Sequence, residues 1–389
     1  MINFEFYSPT KIFFGKEQEK RVGEIIKNYG YKKVLLHYGQ NSIKKTGLYD
    51  VVIKSLNDAN INFIEVSGVE PNPKIDLVRQ TVELVKKEEV DFILAVGGGS
   101  VIDSAKLIAC GAKVSFDPLL FNQHKEVPTQ ALPVGVILTL SAAGSELSNS
   151  CVISNLEEKF KNGFNSDHIR PLFVIENPEL TYTVSKFQTG CGIVDILMHT
   201  LERYFTDTPN IEFSKNIAEG LIKSVIEAGK AAINNPYDYD ARSTLMIASS
   251  FSHNGLTGLG GKMYFTVHKL EHQVSGTFDS VAHGAGLSVL FPAWAKWAYK
   301  KDVDNFARFA KNVFNVVDGT KEECALKGIL KLEEYFKSIS MPTTFKELGI
   351  LECDFEPMAS RITKDDTVTV PGYLTITKKD VIDIFNLAK

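Results

Sequence analysis

The spacing of apolar residues changes about halfway along this chain. From Lys33 to about Ile175, short runs rich in Val, Ile, Leu and Phe alternate with stretches of helical spacing. KVLLHY (33–38), INFIEV (61–66), DFILAV (91–96), PVGVILTL (133–140) and LFVIE (172–176) read as strands, the last two as buried ones. The segment from the first strand through about Asn57, and PNPKIDLVRQTVELVKKE (71–88), read as helices. Continuous apolar strands separated by helices predict a parallel sheet covered on both sides. After about Ser185 the strand-like runs cease. Stretches 186–205, 211–233, 238–256, 302–316 and 321–338 carry apolar side chains at helical intervals. The expected fold class is therefore α/β in two parts. A Rossmann-like, parallel-sheet dinucleotide-binding domain spans 1–183, and an all-α domain spans 184–389, parted at ENPELTYTVS. The first fifteen residues alternate apolar and polar side chains, the pattern of an edge strand or of a contact with a second copy.

Composition narrows the function classes. A chain of 389 residues exceeds one ordinary domain, and 44% hydrophobic with 23% charged residues is the balance of a packed soluble protein. The net charge is −4 with lysines and carboxylates interleaved, so no basic stripe invites nucleic acid. The N-terminus lacks a basic region followed by an apolar core, and no apolar run approaches the roughly 18 residues of a membrane span. Cys110, Cys151, Cys191, Cys324 and Cys353 show no CxxC spacing, which reads as reduced thiols in the cytoplasm.

Three segments carry chemistry. GGGSVIDSAK (97–106) follows the DFILAV strand and opens a helix. Gly97, Gly98 and Gly99 let backbone amides approach a ligand, Ser100 is a candidate helix cap, and the helix N-terminus suits a pyrophosphate. The pattern is neither GxGxxG nor a P-loop. At the end of the first strand, Tyr38-Gly39-Gln40-Asn41-Ser42 lacks the acidic residue that holds NAD ribose hydroxyls. Gly39 leaves room and Ser42 offers a hydroxyl, so NADP(H) is expected in preference to NAD(H). In the helical half, Asp195 and His199 stand four apart, as do His268 and His272, with His283 eleven residues on. On helices each pair shares one face. A site of imidazoles and one carboxylate suits Fe²⁺ or Zn²⁺ better than Mg²⁺ or Ca²⁺. His37, His124, His168 and His253 read as structural or surface residues.

Taken together these segments resemble the iron-containing alcohol dehydrogenase family, in particular its butanol-dehydrogenase-like branch. The resemblance runs from FYSPTKIFFG (6–15) through GVEPNPK (68–74), GGGSVIDSAK and TLSAAGSE (139–146) to GIVDILMHTLE, HKLEHQVSG, HGAGLS and GYLTITKKDVIDIFNLA. It implies a metal-dependent alcohol dehydrogenase or aldehyde reductase that passes hydride between NAD(P)H and a small alcohol or aldehyde. It implies Asp195, His199, His268 and His283 as ligands of a divalent metal, Fe²⁺ before Zn²⁺, with His272 beside the nicotinamide as a proton relay. Gly97, Gly98, Gly99 and Ser100 would hold the pyrophosphate, with Asp103 near the reacting end. Thr139, Leu140 and Ser145 would line the cofactor site, and Gly39, Ser42 and Lys161 would take the 2′-phosphate. A homodimer is implied. The interval from His272 to His283 is one residue longer than the family pattern. The alternatives are a metal- and NAD-dependent lyase or cyclase, or a polyol dehydrogenase, on the same architecture. A nucleotide-binding regulator without turnover is a third.

Overall fold

The computed structural model describes residues 1–158 and 160–389 and divides into two compact units. One is Tyr7–Val184, and the other is Ser185–Lys389 together with Met1–Phe6.

The first unit holds β1 (Lys11–Phe14), β2 (Lys33–Tyr38), β3 (Asn62–Val66), β4 (Phe92–Gly97), β5 (Val134–Leu138), β6 (Ser150–Asn155), β7 (Phe160–Asn165) and β8 (Phe173–Glu176). Its helices are α1 (Val22–Asn28), α2 (Ser42–Lys45), α3 (Leu48–Asp58), α4 (Ile75–Lys87), α5 (Gly99–Gly111) and α6 (Leu119–Asn122). Six strands form one sheet in the order β1-β8-β5-β4-β2-β3, all parallel. Val34, Leu36, Phe92, Leu94 and Val96 pack with Val22, Ile26, Val52 and Leu56 of α1 and α3. Leu35, Ile93 and Ala95, alternating with them, are equally buried. That is why β2 and β4 read as unbroken apolar runs.

From β2 the chain runs out to β3, then returns to place β4 on the other flank of β2. The strand order therefore reverses between β2 and β4. In open sheets of this kind the crevice beyond the carboxyl ends at such a reversal is where ligands bind. His37, fully buried on β2, lies 3.1 Å (Nδ1) from the Val66 carbonyl and 2.9 Å (Nε2) from Ser104 Oγ, tying β2 to α5. Burial pushes its pKa down to about 4, against the smaller raising effect of the Val66 carbonyl.

Three local features differ from the sequence expectation. The single helix expected through Asn57 is two, because Gly47 takes a left-handed φ of +79° between α2 and α3. The antiparallel hairpin of β6 and β7 had no clear alternation to announce it. Of the first fifteen residues only Lys11–Phe14 form the edge strand; Met1–Phe6 join the helical unit, where the Ile2 amide donates to the Gly260 carbonyl at 2.9 Å.

The second unit is built from α7 (Lys186–Tyr204), α8 (Glu212–Asn234), α9 (Tyr239–His253), α10 (Thr266–Thr277), α11 (His283–Ala298), α12 (Val303–Phe314), α13 (Lys321–Ser338), α14 (Glu356–Thr363) and α15 (Lys378–Leu387). Ser185 starts α7 by accepting from the Gln188 amide at 3.2 Å. From Gly192 to Tyr204 every residue of α7 is buried, so polar side chains there need internal partners. Among the described residues no helix is long and apolar enough to cross a membrane.

Candidate functional site

Asp195 and His199 lie one turn apart on α7, inside the helical core. Asp195 Oδ1 is 3.2 Å from His199 Nδ1, 3.6 Å from His268 Nε2 on α10 and 3.9 Å from His283 Nε2 at the start of α11. Asp195 Oδ1 and His268 Nε2 are buried and have no hydrogen-bond partner. A buried carboxylate oxygen and a buried imidazole nitrogen left without partners cost roughly 1–3 kcal/mol each unless a cation joins them. Nitrogen-rich donors with one oxygen fit Fe²⁺ or Zn²⁺, so these residues suit the implied metal. His199 Nδ1 lies 3.0 Å from the Asp195 carbonyl, and a proton donated there leaves Nε2 as the nitrogen with an open lone pair.

Two carboxylates that sequence reading missed complete the set. Glu202 accepts from His268 Nδ1 and from the amides of Val267 (2.5 Å) and His268 (3.1 Å). Glu271 accepts from His283 Nδ1. The signal was present: Glu202 follows His199 by three residues, and Glu271 stands between His268 and His272. The glycines of HGAG also have a structural reason. A Cβ on Gly284 would lie 2.2 Å from the Cys191 carbonyl of α7, and one on Gly286 would lie 2.8 Å from Glu271 Cγ. Between α10 and His283 the chain turns, with the Phe278 amide bonding to the Val274 carbonyl (2.8 Å) and the Val281 amide to the Phe278 carbonyl (2.9 Å).

Around this cluster the field is mixed. The buried Arg203 donates to the carbonyls of His199 (2.6 Å) and Ser252 (3.0 Å) and to His253 Nδ1 (3.0 Å), and sits 4.6 Å over the Phe265 ring. His253 packs 4.0 Å from the His199 ring, placing that histidine beside the site. Phe265 precedes α10 with a left-handed φ of +50°, a strained conformation for a bulky residue. Burial pushes the His199 pKa well down, helped by the neighbouring cations. For His268 burial acts downward too, but the negative charge of Glu202, with that of Asp195 and the hydrogen bond to Glu202, outweighs it, raising the pKa to about 9. His272 is half-buried, its ring 5.6 Å from that of His283.

In the α/β unit, β2, β4 and β5 bring the expected nucleotide residues to one edge of the sheet. Tyr38 pairs with Val96 and Gly97 with Leu138, and the Thr139 amide bonds to the Gly97 carbonyl at 3.1 Å. Gly98, not Ser100, is the N-cap of α5 and offers no side chain; Ser100 lies within the first turn. A Cβ on Gly97 would come within 2.5 Å of Val101, so packing favours glycine there, while one on Gly98 would press on Leu140 at 3.1 Å. Gly39 differs. A Cβ there would find only the Val69 carbonyl at 3.6 Å, an ordinary contact, so the fold does not require glycine. Ser42 opens α2. Lys161 on β7 is the register partner of Ser154, which bridges Lys74; upstream in that same loop the Gly68 amide bonds to the Gly39 carbonyl at 3.0 Å.

Asp103 and Ser145 are engaged within the protein. Ser145 Oγ donates to Asp103 Oδ1 at 2.6 Å, and the Val152 amide donates to Oδ2 at 3.0 Å. Lys106, one turn on and fully buried, donates to the carbonyls of Ser145 (2.7 Å), Ser148 (3.0 Å) and Ser150 (2.8 Å). Burial lowers the Lys106 pKa, and Asp103 opposes that. This strap, absent from the sequence reading, fixes the loop between β5 and β6.

Comparison with known proteins agrees with this geometry. Residues 9–178 match the family model "Iron-containing alcohol dehydrogenase", and residues 189–388 match "Fe-containing alcohol dehydrogenase family, C-terminal". The chain is 39% identical over 388 residues to the NADH-dependent butanol dehydrogenase A of Clostridium acetobutylicum, covering 99% of each. It is 34% identical over 356 residues to the NADPH-dependent aldehyde reductase YqhD of Escherichia coli, covering 90% of each. The crystal structure of NADH-dependent butanol dehydrogenase A from Thermotoga maritima superposes with a TM-score of 0.96 at 39% identity, over 100% of this chain and 99% of that one. The chain belongs to the iron-containing alcohol dehydrogenase family, in its butanol-dehydrogenase-like branch.

Proposed function

We propose that this protein interconverts small aldehydes and alcohols with NADP(H) in preference to NAD(H), using a divalent cation, Fe²⁺ before Zn²⁺, held by Asp195, His199, His268 and His283. The observation that carries the reading is the buried, unpartnered Asp195 Oδ1 faced by imidazoles from three helices. When bound, the cation supplies Lewis acidity toward the substrate oxygen, and the nicotinamide supplies or accepts the hydride. The chain's own residues do the rest. His272 carries the hydroxyl proton to and from solvent. First-turn amides of α5, from Gly99 and Ser100, hold the pyrophosphate at the positive end of the helix. Asp103 and Ser145 keep the Thr139–Leu140 wall in place.

Support for NADP(H) is local. No carboxylate stands between Tyr38 and Ser42, and the nearby Glu65 accepts from Tyr38 (2.9 Å) and Tyr49 (2.8 Å). Gly39 leaves space that the backbone does not need, and Ser42 and Lys161 supply a hydroxyl and a cation for a 2′-phosphate. The relatives' names divide between NADH and NADPH, so preference is measured directly. A homodimer follows from the exposed Ile2, Phe4, Phe6 and Tyr7, which pairing with a second copy covers. Five free thiols suit the cytoplasm.

The test combines metal analysis of purified protein with an aldehyde panel under NADPH and NADH. One bound divalent ion per chain, stoichiometric NADPH consumption, and loss of both in His268→Ala are expected. Turnover without metal, or wild-type activity in His268→Ala, refutes the reading. Light scattering tests the dimer.

A further inference from the structure

We propose that Glu202 and Glu271 are positioning residues that lock the Nδ1 sides of His268 and His283, so that both Nε2 atoms face Asp195 and hold a cation tightly. The inference rests on the reading that these imidazoles are ligands, and concerns two carboxylates to which that reading gives no role.

Both glutamates are removed from water, with side-chain exposures of 4% for Glu202 and 0% for Glu271. A carboxylate so placed is expensive unless donors surround it. Glu202 has three: the Val267 amide, the His268 amide and His268 Nδ1. It therefore grips the first turn of α10 and the ring that the turn carries. Glu271 lies on α10 and reaches His283 at the start of α11, joining the two elements across the turn between them. Space for it is reserved by Gly286, where a Cβ would approach Glu271 Oε1 to 2.9 Å. An imidazole that donates from Nδ1 to a carboxylate has its tautomer and ring plane set, and its Nε2 lone pair becomes a stronger donor. His199 is held differently, by the Asp195 backbone carbonyl at 3.0 Å. Two of the three imidazoles are thus backed by full negative charge and one by a peptide dipole. The extra charge attracts a divalent ion to a site faced by the Asp195 carboxylate.

Glu202→Gln and Glu271→Gln keep the shape and one acceptor while removing the charge. Affinity for Zn²⁺ and Co²⁺ is measured by competition with a chromophoric chelator, together with the visible spectrum of Co²⁺-loaded protein and the Tm without metal. The expected result is metal binding roughly 10–100-fold weaker in each variant, a shifted Co²⁺ spectrum, and a metal-free Tm close to wild type. Gly286→Ala, which touches no ligand, weakens binding in the same way by pressing on Glu271. Unchanged affinity and spectrum in both glutamine variants, while His268→Ala loses the ion, overturns the inference and leaves the metal site standing. A metal-free Tm that falls in step with affinity also overturns it, because general loosening then explains the loss. Wild-type metal stoichiometry in His268→Ala instead overturns the ligand reading itself.

Discussion

Acid exposes how far the nucleotide-binding edge depends on one buried side chain. His37 sits between the Val66 carbonyl and Ser104 Oγ, with its pKa lowered from 6.5 to about 4 by burial. In the interval between those values the unfolded chain binds a proton that the folded chain refuses. Folding stability is therefore complete above pH 6.5 and declines as the pH falls toward 4. The full shift corresponds to roughly 3 kcal/mol, of which about 2 kcal/mol is lost by pH 5. His37→Gln keeps an amide able to hydrogen-bond and removes the titration. Urea unfolding of both proteins at pH 7 and pH 5 isolates the effect, since every other titrating group is common to the two. The wild type should lose about 2 kcal/mol more than the variant. NADPH affinity should weaken in parallel, because His37 connects β2, which ends beside Gly39, to α5, which begins at Gly99. An equal loss in the two proteins refutes the account.

Gly39→Asp should cut kcat/KM with NADPH by about 100-fold and spare NADH, as expected of a carboxylate brought against a 2′-phosphate; an unchanged NADPH-to-NADH ratio refutes that placement. Folding should survive, since a Cβ at that position has room. Lys106→Met removes a buried cation from three carbonyls and should cost roughly 3–5 kcal/mol in urea unfolding, with weaker NADPH binding; a change under about 1 kcal/mol means the strap is idle. Gly284→Ala would gain about 1 kcal/mol from helix propensity alone. It should instead lower both Tm and bound metal, because the Cβ would meet the Cys191 backbone at 2.2 Å and drive α11 from α7; a raised Tm with full metal refutes that contact.

The α/β unit was legible wherever burial was two-sided. KVLLHY became β2 residue for residue, and the stretch 321–338 became α13. Both are strongly periodic segments whose flanks also agree, with Thr320 and Glu323 forming a capping box at α13. The hairpin of β6 and β7 was not legible, because its buried apolar residues Cys151, Ile153 and Phe164 are few and stand among Ser, Asn, Lys and Gly that blur the period. Gly47 hid in a helical pattern, since a left-handed residue costs nothing in apolar spacing. The candidate site residues stood out in sequence because Asp195 and His199, and likewise His268 and His272, are one helical turn apart, with His283 eleven residues on. Their supporting groups were not. Glu202 and Lys106 look like ordinary surface charges in sequence, and only the folded chain shows them buried.

The glycines show most clearly where local pattern stops being informative. Gly97, Gly98, Gly284 and Gly286 all invite a ligand-binding explanation, yet each has a neighbour that a methyl group would strike or press on: Val101, Leu140, Cys191 and Glu271. Packing favours glycine at each, whatever ligand their backbones also serve. Gly39 has no such neighbour at close range and no left-handed backbone, so steric need does not explain its missing side chain. An unneeded glycine at the carboxyl end of a strand, where the sheet order reverses, is a stronger pointer to a bound molecule than three glycines in a row. The same reasoning orders the metal cluster. Helices α7 and α11 approach closely because Gly284 permits it, and that approach, rather than any spacing within one segment, carries His283 to within 3.9 Å of Asp195.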